Sequence, residues 1–155
     1  MLTEQEQHEI EEEIRAMQGH TRAAVVEALK IVQRRRGWVS DDGVRDVADY
    51  LAMTTAEVDA VATFYNKIFR RQVGRHVILI CDSVSCWIVG YHDLLRHLKE
   101  QWQVDLGGTT ADDRFTLLPV ACLGLCEQAP AMLVDGELYG KLTPARLDEI
   151  LGEYV

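Results

Sequence analysis

The stretch His76-Val77-Ile78-Leu79-Ile80-Cys81 (HVILIC) decides how this chain is read. A short, almost unbroken apolar run is the pattern of a strand buried on both faces, as in the middle of a parallel sheet. It ends on one cysteine, and Cys86 follows after four intervening residues. A second run, about Phe115 to Ala121 (FTLLPVA), ends the same way: Cys122 comes next, and Cys126 after three more residues. Between the runs, Cys86 opens a helix with Tyr91, Leu94, Leu95, Leu98 and Trp102 on one side, followed by a polar loop holding Gly107 and Gly108. If one helix joins the strands, the crossover is right-handed and the strands are parallel. Parallel strands end at the same edge, so two thiol pairs separated by 35 residues are delivered side by side.

Downstream of Cys126, Met132 to Val134 and Glu137 to Tyr139 flank Asp135-Gly136, a tight-hairpin signal. Thr143-Pro144 starts a last helix with Leu147, Ile150, Leu151 and Tyr154 inward, since proline in the first turn loses no hydrogen bond. Upstream of His76 the period is helical throughout. An acidic helix spans about Glu4 to Met17. Thr21 is a candidate cap for a second helix carrying Val25, Ala28, Leu29 and Val32, with Gly37 as its stop. Ser40 opens a third, where Asp41 and Asp42 suit the positive end of the helix dipole. Thr54 and Glu57 have capping-box spacing ahead of a fourth. The expected class is therefore α/β (α+β): an N-terminal helical bundle over residues 1–72 and a second domain over 73–155.

The chain has 155 residues, 48% of them hydrophobic and 26% charged, with a formal net charge of −9. That acidic balance argues against general nucleic-acid binding, which relies on an excess of lysine and arginine. No stretch approaches the length of a membrane span. The Glu- and Gln-rich start resembles neither a secretory signal nor a transit peptide, so the expectation is a cytoplasmic protein.

Four cysteines then need a role. Disulfides are disfavoured in a reducing cytosol, and the C-x-x-C of a dithiol redox site is absent. A [2Fe–2S] cluster takes four thiolates, two per iron, and pairs spaced by four and three residues suit a wide two-iron rhomb. Zinc remains the alternative: a structural zinc prefers two-residue spacing, although up to four residues occur. On that alternative the chain is a zinc-stapled interaction module. Closing the loop between the pairs stabilises the metal-bound form by about 3 kcal/mol through loop-closure entropy. A cluster held by cysteines alone has no open iron position, so the chemistry is outer-sphere electron transfer and no catalytic residue is expected. Backbone N–H groups, with Ser83 and Ser85, are placed to tune the sulfurs.

At these residues the chain resembles the small iron–sulfur subunit (the E subunit, NuoE type) of bacterial NADH:quinone oxidoreductase, respiratory complex I. The resemblance lies in ALKIVQRRRGWV, VATFYNKIF, GRHVILICDSVSCWIVG and TLLPVACLGLCEQAPAMLVDGELYGKLTP, and covers about residues 20 to 154. It implies a thioredoxin-like [2Fe–2S] ferredoxin domain after a helical bundle, with Cys81, Cys86, Cys122 and Cys126 as the cluster ligands. It implies also a heterodimer with a larger subunit that binds FMN and NADH, within a multi-subunit complex on the cytoplasmic side of the inner membrane. Related chains serve as diaphorase subunits of NAD-linked hydrogenases and formate dehydrogenases. Asp113 stands where a turn glycine is expected, and aspartate tolerates a left-handed turn.

Other signals carry less. His92 and His97 are expected to be ordinary helix residues, because four cysteines already complete the site. Gly107-Gly108 lacks the pattern of a phosphate loop. Arg34, Arg35 and Arg36 are expected as a solvated helix end, and the acidic first helix as a wet face. Pro130 resembles the cis-proline position of thioredoxin folds, with its isomer open.

Overall fold

Helix starts in the first half of the chain are set by side-chain caps. Thr3 and Thr54 each accept from the N–H three residues on, while Glu6 and Glu57 reach back to the cap N–H at 2.8 and 2.9 Å. Ser40 accepts from the Gly43 N–H at 3.1 Å. These caps begin α1 (Glu4–Ala16), α4 (Thr55–Phe64) and α3 (Asp41–Leu51). Thr21 does not cap α2 (Val25–Arg36): it starts a 3₁₀ turn, Thr21–Ala24, and the residue before α2 is Ala24, with no side-chain bond. Gly37 ends α2 at φ +83°, a left-handed position without Cβ cost.

The computed structural model describes all residues, Met1–Val155, and they form two compact units, Met1–Gln72 and Val73–Val155. In the first unit α1–α4 close around Ile10, Leu29, Val32, Val47, Leu51 and Val58. Two sequence expectations fail here for the same reason. Arg36 is not a solvated helix end: its guanidinium takes both oxygens of Glu6 at 2.7 Å and reaches Asp46 at 3.1 Å. Arg34 and Arg35 both pair with Glu9. The acidic face of α1 is thus docked on the basic end of α2, and Glu6 is buried.

In the second unit β1 (His76–Cys81) lies between β2 (Phe115–Val120), parallel to it, and β3 (Met132–Val134), antiparallel; β4 (Glu137–Tyr139) completes the order β2-β1-β3-β4. Ile78 and Ile80 enter a core shared with Leu94 and Leu98 of α6 (Tyr91–Gln101) and with Leu147 and Leu151 of α7 (Pro144–Glu153). Val77 and Leu79, pointing the other way, are buried too. The helix expected from Cys86 to Trp102 is broken: α5 (Val84–Val89) carries Cys86, and Gly90 at φ +136° redirects the chain into α6. Apolar spacing continued through the break, so the glycine was the only local sign of it. Thr143 caps α7 and Pro144 fills its first position, whereas Tyr154 lies just past the helix end. Arg114 donates to the carbonyls of Leu151 and Tyr154, fastening that end. Asp113 sits at φ 54°, the left-handed turn expected of it.

Candidate metal centre

The parallel register sets Cys81, the last residue of β1, beside Val120, the last of β2. Cys122 follows two residues beyond that edge, and Cys126 begins the 3₁₀ turn Cys126–Gln128. Cys86, one turn into α5, is the only buried residue of that helix. All four thiols are free. They are mutual neighbours: the Cys86 thiol meets Cys81 and senses Cys126, while Cys122 meets both Cys126 and Cys81.

The Cys122 and Cys126 sulfurs are 3.8 Å apart. Two thiolates on one tetrahedral metal with metal–sulfur bonds of about 2.3 Å stand about 3.8 Å apart, so this pair has the spacing of a shared metal. A two-iron cluster draws two thiolates to each iron and needs pairs rather than one point of convergence. The donor set therefore fits a [2Fe–2S] cluster.

The two pairs differ in surroundings. Cys81 and Cys86 are buried; Cys122 and Cys126 are exposed. Burial, and then the Cys81 thiol beside it, push the Cys86 thiol up to about 11, partly offset by the Ala131 N–H. The Gly124 N–H, 3.3 Å from its sulfur, holds Cys122 below the usual thiol range, followed by the Cys126 and Ser83 contributions. Cys126 is raised, chiefly by Cys122, while the Ser85 hydroxyl works the other way. Hydrogen bonds to sulfur favour the thiolate a metal needs.

Several residues that shape this site are silent in sequence. Cys81 N–H donates to Ala131 O at 3.0 Å and Asp82 N–H to Val120 O at 3.0 Å, which holds the end of β1. Pro130, flagged in the sequence for its resemblance to a cis-proline position with the isomer left open, has a cis bond to Ala129. Gly140 is the least expected: a Cβ there would stand 2.7 Å from Gln128 Cβ, 2.8 Å from Leu125 Cδ2 and 2.9 Å from Gln128 O. The Cys126 loop thus rests against bare backbone, and a lone glycine after a strand was the only available hint. His97 bonds Asp148 at 2.8 Å and His92 packs edge-on against Trp87, so both have partners away from the thiols.

Parallel strand ends that bring two thiol pairs together on a sheet faced by two helices define a class, the thioredoxin-like metal-cluster proteins. The chain belongs to the thioredoxin-like [2Fe-2S] ferredoxin family, whose model matches residues 10–155. It is 44% identical to the E subunit of NADH-quinone oxidoreductase from Pseudomonas aeruginosa, over all of this chain and 93% of that one. It is 49% identical to the Escherichia coli K12 subunit of the same name, over 86% of this chain and 80% of that one. Among solved structures it is similar to a chain of NAD+-reducing [NiFe]-hydrogenase in the air-oxidized state, with TM-score 0.66 and 27% identity. That match covers 86% of this chain but 22% of the hydrogenase chain, so this chain spans about a fifth of that neighbour.

Proposed function

We propose that the chain is an electron-transfer subunit of the NADH-oxidising module of NADH:quinone oxidoreductase, holding one [2Fe–2S] cluster through Cys81, Cys86, Cys122 and Cys126. The observation that carries this reading is the meeting of two remote thiol pairs at one sheet edge, one pair 3.8 Å apart. Identity of 44–49% to curated E subunits of that enzyme supports the parent complex. When bound, the cluster supplies one-electron transfer without bonding a substrate. The chain's residues do the rest. Cys81 and Cys86 grip from the buried side and keep water away, and Cys122 and Cys126 grip at the surface. Gly124 N–H and the Ser83 and Ser85 hydroxyls stabilise negative charge on the outer sulfurs.

FMN and NADH belong on a larger partner subunit rather than on this chain, and the catalytic site for NADH lies there. The chain contributes to an oxidoreductase as a subunit. No helix is long and apolar enough to cross a membrane; attachment is peripheral, on the cytoplasmic side, through the complex. The hydrogenase similarity favours a second parent of the same kind, the diaphorase part of an NAD-linked hydrogenase. Anaerobic purification with iron and acid-labile sulfide analysis tests the cluster: two irons and two sulfides per chain, with a paramagnetic signal after reduction, are expected. A colourless protein with one zinc would overturn the reading. Co-purification with the quinone-reducing complex, rather than with a hydrogenase, tests the parent.

A further inference from the structure

At the end of the sheet away from the thiols, His76 opens β1 and stands between two oxygen atoms. Its Nδ1 lies 2.6 Å from Asp135 Oδ2, and its Nε2 lies 3.4 Å from the carbonyl oxygen of Val155. The other oxygen of Asp135 accepts from the Val77 N–H at 2.9 Å, which fixes the carboxylate in the β3–β4 turn. A neutral imidazole carries one N–H and one lone pair. With Nδ1–H given to Asp135, a neutral His76 sets its Nε2 lone pair against the Val155 oxygen. Only the imidazolium donates from both nitrogens and joins both oxygens at once. Phe115 and Tyr154 flank the ring, with centroids 5.6 and 5.1 Å away. They leave the His76 side chain 19% exposed, so water does not freely replace the missing donor.

We infer that His76 is a proton-operated latch on the residues after α7: charged, it ties the backbone at Val155 to the Asp135 turn, and neutral, it lets that residue go. Val155 is 93% exposed, so packing does not hold it. Tyr154 is secured independently of the ring, since Arg114 donates to its carbonyl and its hydroxyl pairs with that of Tyr139 at 2.8 Å. Release therefore begins past Tyr154. The charged groups around the ring come from several elements. Asp135, in the β3–β4 turn, favours the imidazolium; Arg114, just ahead of β2 and 4.9 Å from the Phe115 ring, opposes it. Glu137 and Tyr139 of β4 reach it through the Tyr154 hydroxyl. Arg75 and Glu153 are exposed. Histidine changes charge between about pH 5 and 8, where carboxylates and phenols ordinarily do not. The Tyr139 hydroxyl is pushed further up, chiefly by its bond with Tyr154. His76 is thus the group on this face that switches within that window.

The test is nuclear magnetic resonance on the full-length, isotope-labelled chain with its cluster oxidised. His76 stands at the opposite end of β1 from Cys81, about 17 Å along the strand, which keeps its resonances clear of the irons. The His76 ring nitrogens and the Val155 Cα are followed together from about pH 5 to about pH 8. At the acid end both nitrogens are expected to carry protons, with the Val155 order parameter near the rigid value of about 0.85. At the alkaline end Nδ1 alone keeps its proton and the order parameter falls below about 0.6. The two changes are expected to share one midpoint. His76→Gln, which has no charge to lose, is expected to give a flat Val155 profile. Asp135→Asn keeps an acceptor for the Val77 N–H and is expected to move the transition to lower pH. Constant order at Val155 while the ring titrates overturns the inference. So does a ring that holds one charge state throughout, or a loss of order that persists in His76→Gln. Where a variant does not fold, the shared midpoint in the wild type decides alone. None of these outcomes bears on the proposed cluster, which iron and sulfide content tests separately.

Discussion

The two units solve the problem of holding together in different ways. Met1–Gln72 is closed by local devices and one tertiary ion network: capping boxes at Thr3 and Thr54, a serine cap at Ser40, and Arg36 bound to Glu6 and Asp46. Val73–Val155 has an equally dry core around Ile78, Leu98, Phe115 and Leu147, yet its sheet edge ends in four free thiols, two of them exposed. The helical unit is complete as a folded object. The sheet unit brings together sulfur atoms that would repel one another as thiolates, a repulsion that the proposed cluster would relieve. Finished packing supports a scaffold; an uncompensated cluster of donors marks where the chemistry is.

The sharpest way to break this contrast is Cys122→Ser. It should abolish most of the iron content and lower the stability of the sheet unit by about 3 kcal/mol, the loop-closure contribution. Amide exchange in residues 1–72 should be unchanged, read by mass spectrometry on peptides from each unit. Loss of protection in both units would show that they are not separately stabilised. Gly140→Ala sharpens the same side: with its Cβ inside the Cys126 loop, iron and sulfide content should fall while the core of the sheet unit stays protected. Full incorporation would show that the loop yields without moving Cys126.

Arg36→Leu addresses the other side. Removing one partner of a buried charge costs about 3–5 kcal/mol, and here Glu6 is the charge left behind. Chemical denaturation should show that loss in the helical unit with iron content unaltered. Acid provides the companion measurement. The Arg36 side chain holds the Glu6 carboxyl down at about 2 from an ordinary 4.5. The resulting stabilisation, about 3 kcal/mol, is fully present above pH 4.5 and drains away as pH falls toward 2. Exchange rates in residues 1–36 should rise across that window in wild type and be nearly flat in Arg36→Leu. A flat wild-type profile would mean that the Glu6–Arg36 pair contributes little to holding α1.

Much of the fold is legible in the amino-acid order. HVILIC is a central strand because its apolar side chains leave it no solvated face, and Asp135-Gly136 turns the hairpin because both residues take positive φ, 50° and 104°. The thiol pairs follow from strand ends and parallel topology. Other features escape for definite reasons. The break at Gly90 hides inside continuous apolar spacing, and Thr21 has a capping residue's chemistry in a turn that does not use it. Charges on α1 look solvated because a single helix shows no partner, and the partner lies 30 residues away.

Composition and spacing alone therefore specify the strands, most of the helices and their caps, and which four sulfurs are expected to meet, since each depends on residues within a turn or two of one another or on a rule of strand connection. The pairing of Glu6 with Arg36, the bare backbone at Gly140 and the division of the thiols into a buried and an exposed pair come from the folded chain. Those depend on which surfaces approach across dozens of residues, and burial and close approach are properties of that three-dimensional arrangement, for which a linear pattern has no coordinate.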